Sequence, residues 1–129
     1  MGTGQFNEIY PFNLVNELAD TDGTNLVQML GVGQFYRRLD QVTLSNNDTI
    51  DHVVALVVSL NAVTARVACV NVPAGSGFAG VPPVEVYTAT PTTPVGGLVV
   101  DVNALLYVTL EVAMATGKVL QVFASGGTL

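Results

Sequence analysis

Apolar and polar residues alternate along the stretch from Leu98 to Met114. Polar residues such as Asp101, Asn103 and Glu111 fall between apolar ones. The alternate apolar positions are Val100, Val102, Ala104, Leu106, Val108, Leu110, Val112 and Met114. Successive side chains of a β-strand point to opposite faces of a sheet, so this period of two predicts a strand with one buried face.

The residues after this stretch predict a return of the chain. Thr116-Gly117 is typical of a turn, and the segment from Lys118 to Ala124 is again rich in apolar and β-branched residues. Residues 96–129 are therefore predicted to form one long β-hairpin against which the rest of the chain packs.

Two valine-rich runs in the middle of the chain predict a second pair of strands. They are Ile50 to Leu60 and Ala62 to Val72, and Asn61 separates them. A buried helix remains the alternative for the first run, because periodicity alone does not separate the two. With a further strand at Val84 to Thr90, about five strands are expected.

Helices are expected only before these strands. Asn13 to Ala19 could form one or two helical turns capped by Asn13. Thr24 to Leu39 predicts a helix broken at Gly31-Val32-Gly33, with Arg37 and Arg38 at its C-terminal end, where cations are favourable.

The first twelve residues have the pattern of an extended arm. Small and polar residues precede spaced apolar side chains, which makes a disordered tail the alternative interpretation. Exposed aromatic side chains on a free tail are unfavourable, so the arm is expected to dock on a neighbouring subunit. The expected partner-contacting residues are Phe6, Ile9, Tyr10 and Phe12.

These elements predict a mainly β protein. The expected fold is a small antiparallel β-sandwich or barrel with an extended N-terminal arm and one or two short helices. Residues 1–12 form the arm and residues 13–129 form a single β-rich domain in this prediction.

Composition predicts self-association. Hydrophobic residues make up 50% of the chain and charged residues 11%, whereas charged residues make up about 25% of an average soluble domain. So little charge does not cover the surface of a monomer, which predicts a homo-oligomer. The apolar stretch Val53 to Val70 contains Ser59, Asn61 and Arg66, so it does not predict a membrane-spanning helix, and no membrane partner is expected.

Charge argues against a nucleic-acid partner. The net charge is −6 with four basic residues, and binding to phosphates depends on lysine and arginine. The N-terminal residues have neither a basic segment nor an apolar core, so no secretory signal is expected.

No catalytic or cofactor site is expected. Gly75 to Gly80 matches G-x-G-x-x-G, but the helix that would bind pyrophosphate is missing after it. His52 has no serine or cysteine partner in a recognisable motif. Cys69 alternates with Val67 along a strand, which predicts burial as a small hydrophobic side chain.

No metal site is expected either. The segment Asp20 to Asn25 contains Asp-x-Asp and a glycine, but the glycine is at the wrong position for a calcium-binding loop. A turn followed by an Asx-type helix cap explains the same residues.

In overall character the chain resembles the decoration, or cement, proteins on the heads of tailed bacteriophages. The resemblance rests on size, the aromatic-dotted arm, the valine-rich β body, the Pro/Thr/Gly loops and the lack of a catalytic set. It implies a homotrimer that binds the major capsid protein on the outside of the virion and stabilises the shell, after synthesis in the host cytoplasm. The resemblance includes no motif that would assign a function to individual residues.

Two other classes of function are open. A tail, fibre or filament-forming adhesive subunit would pair residues 96–124 between copies. A small-molecule-binding β-barrel is the third possibility, although few polar groups are available to line a binding site.

Overall fold

The computed structural model describes residues 10–78, 80–87 and 97–128, and strands dominate these residues. They are β1 (Tyr10–Ala19), β2 (Val27–Leu30), β3 (Arg37–Asn46), β4 (His52–Leu60), β5 (Val63–Val72), β6 (Val84–Tyr87), β7 (Leu98–Val100), β8 (Leu105–Leu110) and β9 (Val119–Thr128). A single turn of 3-10 helix, Asp20–Asp22, follows β1. The mainly β prediction is confirmed, and within the described residues no helix is long and apolar enough to cross a membrane.

The strands form two antiparallel sheets. One sheet has the order β1-β9-β3-β6, and β7 also pairs with β3. The other sheet has the order β2-β8-β4-β5. Because β6 and β7 pair with different parts of β3, they occupy one strand position in two pieces. The predicted β-sandwich is therefore the observed architecture.

Most connections cross from one sheet to the other. Only β4 to β5 and β6 to β7 stay within a sheet. Two facing sheets linked in this way have the strand order of a double-sheet jelly roll.

The space between the sheets is filled by aliphatic side chains. Alternate residues of β3 and β9 point inward and are fully buried, as are those of β4 and β8. The largest of these side chains are Leu18, Leu39, Leu44, Leu56, Leu106 and Leu120. Their burial is the main stabilising contribution that the sequence pattern predicts.

The predicted hairpin of residues 96–129 is wrong. The Thr116-Gly117 turn is present, and the alternating face is largely buried, but the chain breaks at residues 101–104 and again after Leu110. Strand β8 pairs with β2 and β4, whereas β9 pairs with β1 and β3 in the opposite sheet. Both strands are thus central strands of different sheets.

The two predicted helices are also wrong. Residues 13–19 belong to β1, and residues 24–39 contain β2, a loop and the start of β3. Arg37 and Arg38 begin a strand and do not end a helix. Strand β1 pairs with β9, and β2 pairs with β8. These pairings satisfy the backbone groups that the predicted helices would have satisfied locally.

The β4–β5 hairpin is confirmed, and its two-residue turn is strained. Asn61 and Ala62 have φ angles of 54° and 66°, in the left-handed region. Hairpin turns of this kind favour Asn-Gly, because a β-carbon in this region costs about 1 kcal/mol or more.

We expect Ala62→Gly to raise the free energy of unfolding by about 1 kcal/mol, because glycine removes this strain. Ala65→Gly, in the extended part of β5, is the control and should lower it. Chemical denaturation measures both variants. Equal losses of stability in the two variants would show that Ala62 is not strained.

The sandwich has two distinct ends. At the arginine end lie the starts of β1 and β3, the end of β9, and the loops 31–36, 61–62 and 101–104. At the histidine end lie the connections 20–26, 47–51, 73–83 and 111–118. The strand directions fix this assignment, because every neighbouring pair is antiparallel.

Candidate interaction surface

Exposed apolar side chains lie at both ends of the sandwich, and those at the histidine end are Leu26, Ile50, Phe78, Val81 and Val112. At the arginine end we name Tyr10, Val32, Phe35, Tyr36 and Val99 the apolar surface. Register places Tyr10 opposite Thr128, Thr128 opposite Arg37, and Val99 opposite Arg38. The remaining members belong to the loop that leads into β3. Large apolar side chains held in solvent at one end of a sandwich indicate a surface that binds another macromolecule.

Arg37 holds the two loops that cross this end. Its side chain is 6% exposed. One terminal nitrogen donates to the carbonyl oxygen of Gly31 at 2.6 Å, and the other donates to those of Asp101 at 2.9 Å and Ala104 at 3.2 Å. The planar guanidinium can serve several acceptors at once, so it joins loop 31–36 to loop 101–104.

A backbone contact adds to this connection. The amide of Gly33 donates to the carbonyl oxygen of Val102 at 3.0 Å. A β-carbon at Gly33 would lie 2.9 Å from a terminal nitrogen of Arg37, so the loop passes close over the buried side chain. The backbone that carries Phe35 and Tyr36 is thus anchored immediately before and after these residues.

The two ends differ in charge. The loops of the arginine end contain one acidic residue, Asp101, and no basic residue. Arg38, in the adjoining strand, pairs with Asp40 at 2.7 Å. The connections of the histidine end contain the acidic residues Asp20, Asp22, Asp48, Asp51 and Glu111, with Lys118 as the basic one. The two ends therefore differ in charge, and the histidine end is the acidic one.

A buried ion pair organises the histidine end. His52 Nε2 lies 2.9 Å from Asp48 Oδ2, and both side chains are at most 1% exposed. The carboxylate also accepts hydrogen bonds from the amides of Thr49 at 2.6 Å and Ala115 at 3.0 Å. The hydrogen bond from His52, with smaller contributions from these amides, lowers the pKa of Asp48 from 3.8 to about 2 despite its burial.

The other ring nitrogen of His52 is also occupied. Nδ1 lies 3.1 Å from the carbonyl oxygen of Val112, which can only accept. Both ring nitrogens therefore have a polar partner, and the side chain is buried. The pair joins the β3–β4 connection to the β8–β9 connection.

Asn46 extends this polar network towards β5. Its amide nitrogen donates to the carbonyl oxygens of Ile50 at 3.0 Å and Val72 at 3.2 Å, and its amide oxygen accepts from the amide of Asp48 at 2.9 Å. Hydrogen bonds among buried groups therefore connect the segments that meet at the histidine end.

The residues predicted to contact a partner fall into two groups. Phe6 and Ile9 lie outside the described residues. Tyr10 and Phe12 lie in β1, where they pair with Thr128 and Gly126. Phe12 packs partly buried against the core of its own chain, so the predicted arm boundary at residue 12 is wrong for these positions. Tyr10 remains exposed and belongs to the apolar surface.

Cys69 was predicted to be buried and is exposed. Cys69 lies on β5, the edge strand of its sheet, and pairs with Ala55 of β4. Alternation along a strand identifies two faces, but an edge strand can leave both of them in solvent.

The glycine-rich segment is confirmed as a loop. Gly77 donates its backbone amide to the carbonyl oxygen of Val81 at 2.7 Å, and Ser76 and Val81 form an isolated bridge. The next element is the strand β6 and not a helix. The turn at Asp20–Asp22 is likewise confirmed, and Asp22 accepts a hydrogen bond from the amide of Ala19 at 2.7 Å.

Neither a cavity nor a metal-binding group is found in the part of the chain that the structure describes. Comparison with known proteins gives no family: no family model, curated protein or solved structure matches the chain. The apolar surface is therefore the structural basis for a proposed function.

Proposed function

We propose that this protein is a structural virion subunit, a capsid decoration or cement protein that binds the outside of the shell. The observation that carries the proposal is the apolar surface, whose loop is held by the buried Arg37 at one end, while the acidic connections lie at the other end. An adaptor that covers a shell needs one face that binds protein and one face that tolerates water.

The apolar surface has the composition of a protein-binding site. Aromatic side chains are enriched at the centres of protein interfaces, and Phe35 and Tyr36 are both about half exposed. Arg37 holds their backbone before binding occurs, which reduces the entropy lost on association. The proposed partner is the major capsid protein.

The jelly-roll strand order supports the proposal by analogy. Viral capsid proteins use this architecture, and so do lectins and cupins, so fold alone does not assign a function. The acidic end suits an outward position, away from packaged nucleic acid. Neither nucleic acid nor membrane is a proposed partner, and self-association, as the trimer that the resemblance implies, completes the proposal.

The N-terminal arm that is proposed to contact a partner comprises residues 1–9. Residues 10–12 are paired with β9, so their removal would also damage the sandwich. Strand β1 starts at the arginine end, where the apolar surface lies. The arm and the apolar surface are therefore proposed to contact the same shell.

The filament alternative loses its proposed contact. Strands β8 and β9 each have a partner on both sides, so they cannot pair between copies as the fibre interpretation requires. A tail or fibre subunit using other surfaces is the remaining form of this alternative. The barrel alternative lacks support, because aliphatic side chains fill the interior between the described strands.

Introducing charge into the apolar surface should abolish attachment to the shell. We expect Phe35→Asp/Tyr36→Asp to raise the dissociation constant for shells lacking this protein by at least about a hundredfold, since two aromatic anchors would be lost. Co-sedimentation of purified protein with such shells measures the effect.

Ile50→Asp/Val112→Asp is the matched control at the histidine end. Its side chains are 50% and 59% exposed, compared with 53% and 49% for Phe35 and Tyr36. This control should bind like the unchanged protein. Equal binding by both double variants, or no binding by the unchanged protein, would contradict the proposed function.

A further inference from the structure

The two sheets have four edges, and three of them are protected against pairing. Strand β1 contains Pro11 and Glu17. Strand β2 has four residues and an irregular register. The edge opposite β1 is divided between β6 and β7, which have four and three residues. Short strands, proline and charge are the usual means of preventing edge association.

The fourth edge, β5, has less of this protection, with one charged residue, Arg66, and one register shift in ten residues. Strand β5 has ten residues, and it contains no glycine, proline, lysine or acidic residue. It pairs with β4 on one side, and no other described strand pairs with it. Residues 63–67 are all exposed, so both faces of the strand reach solvent at the arginine end. Unpaired backbone groups along such a strand form a template for another strand.

We propose that the free edge of β5 pairs with β5 of a second copy, antiparallel about a twofold axis, to form one continuous sheet. Twofold contacts are the commonest in homo-oligomers and require a surface that complements itself. The scarcity of charge on the whole chain agrees with such an occupant.

The charge on β5 does not prevent two copies of the strand from pairing. Its only charged residue, Arg66, lies 3.3 Å from Glu111 of the same sheet. A register shift opposite Leu56 and Val57 leaves Val67 as an extra residue, the position of a β-bulge. Because of this shift, Arg66 and Cys69, which pair with Val57 and Ala55, lie on the same face of the sheet. The register that matches faces across the axis sets Arg66 of each copy opposite Cys69 of the other, so the two arginines do not oppose one another.

The contact is separate from the apolar surface and does not rest on the proposed function, because a twofold contact closes a dimer and not the trimer that the resemblance implies. It would join two copies through sheet edges, whatever the apolar surface binds. Self-association and shell binding can therefore fail independently.

The first test uses charge on the edge. At micromolar concentration we expect the unchanged protein to be a dimer or larger assembly, and Val63→Lys/Ala65→Lys to reduce its mass at least by half. The control Asn13→Lys/Val15→Lys places the same charges on exposed residues of the β1 edge. Sedimentation velocity measures mass, and circular dichroism confirms folding. A monomeric unchanged protein, or equal effects of the two double variants, overturns the proposal.

The second test uses the native cysteine and does not depend on destabilising the edge. Arg66→Cys should form disulfide-linked dimers with Cys69 of the second copy under mild oxidation, because directly opposed residues of antiparallel strands are close enough. Asn13→Cys, which also retains Cys69, should not. Absence of cross-linking with Arg66→Cys, or equal cross-linking in both variants, contradicts the twofold pairing.

Discussion

Replacing Asp48 by alanine should lower the free energy of unfolding by about 3–5 kcal/mol. The substitution leaves His52 buried with one ring nitrogen no longer facing an acceptor, and it removes the acceptor for the amide of Ala115. Removing one member of a buried, hydrogen-bonded pair costs this much because the other group stays desolvated. Denaturant unfolding at neutral pH measures the loss.

The exposed pair Arg66–Glu111 provides the matched control. Its atoms lie 3.3 Å apart, and its side chains are about half exposed. Exposed ion pairs contribute at most about 1 kcal/mol, so Glu111→Ala should have a small effect on unfolding. Equal losses from Asp48→Ala and Glu111→Ala would show that the buried pair has no special role.

The contribution of Asp48 should depend on pH in a defined direction. Its pKa is lowered from 3.8 to about 2 in the folded protein. A lowered carboxyl pKa stabilises the folded state above the unfolded-state pKa, and this stabilisation is lost as the pH falls through the folded-state pKa. The difference in unfolding free energy between the unchanged protein and Asp48→Ala should therefore shrink between about pH 4 and pH 2.

Replacing Arg37 by alanine should lower the free energy of unfolding by about 2–4 kcal/mol and also abolish shell binding. The carbonyl oxygens of Gly31, Asp101 and Ala104 would lose their donor, and each buried acceptor left unpaired is costly. The apolar surface would lose its order because loop 31–36 would be released from loop 101–104. Denaturant unfolding and co-sedimentation measure the two effects.

Arg38→Ala is the neighbouring control. Arg38 pairs with Asp40 and is partly exposed, so its loss should cost less than about 1 kcal/mol and leave binding intact. If Arg37→Ala retained full binding to the shell, the connection between the buried guanidinium and the apolar surface would be wrong.

Strand content was predictable because alternation is local. The runs that form β4 and β5 were identified with their turn, and the alternating residues that fill β8 are buried. Partners were not predictable, because a jelly roll pairs strands that are distant in sequence. The turn at Thr116-Gly117 resembles a hairpin turn, yet the chain crosses there to the other sheet.

The errors before residue 40 have a related cause. Leu14 and Leu18 lie inward on β1 and follow a period of two, but the polar residues around them also fit a short capped helix. Gly31 and Gly33 were interpreted as a break in a helix, whereas they belong to the loop that Arg37 anchors. Pairing with strands that are distant in sequence stabilises these segments as strands.

The apolar surface was only partly predictable. Tyr10 was predicted to contact a partner, whereas Phe35 lay within the broken helix predicted for residues 24–39 and is exposed in the structure. The cluster exists because Val99 reaches the same end through the pairing of β7 with β3. No local pattern contains that information.

Electron cryomicroscopy of native particles would show whether the apolar surface faces a shell. We expect density for this fold on the outside of the capsid, with Phe35 and Tyr36 against the major capsid protein and the Asp48–His52 end facing solvent. Particles without this density, or with the histidine end against the shell, would contradict it.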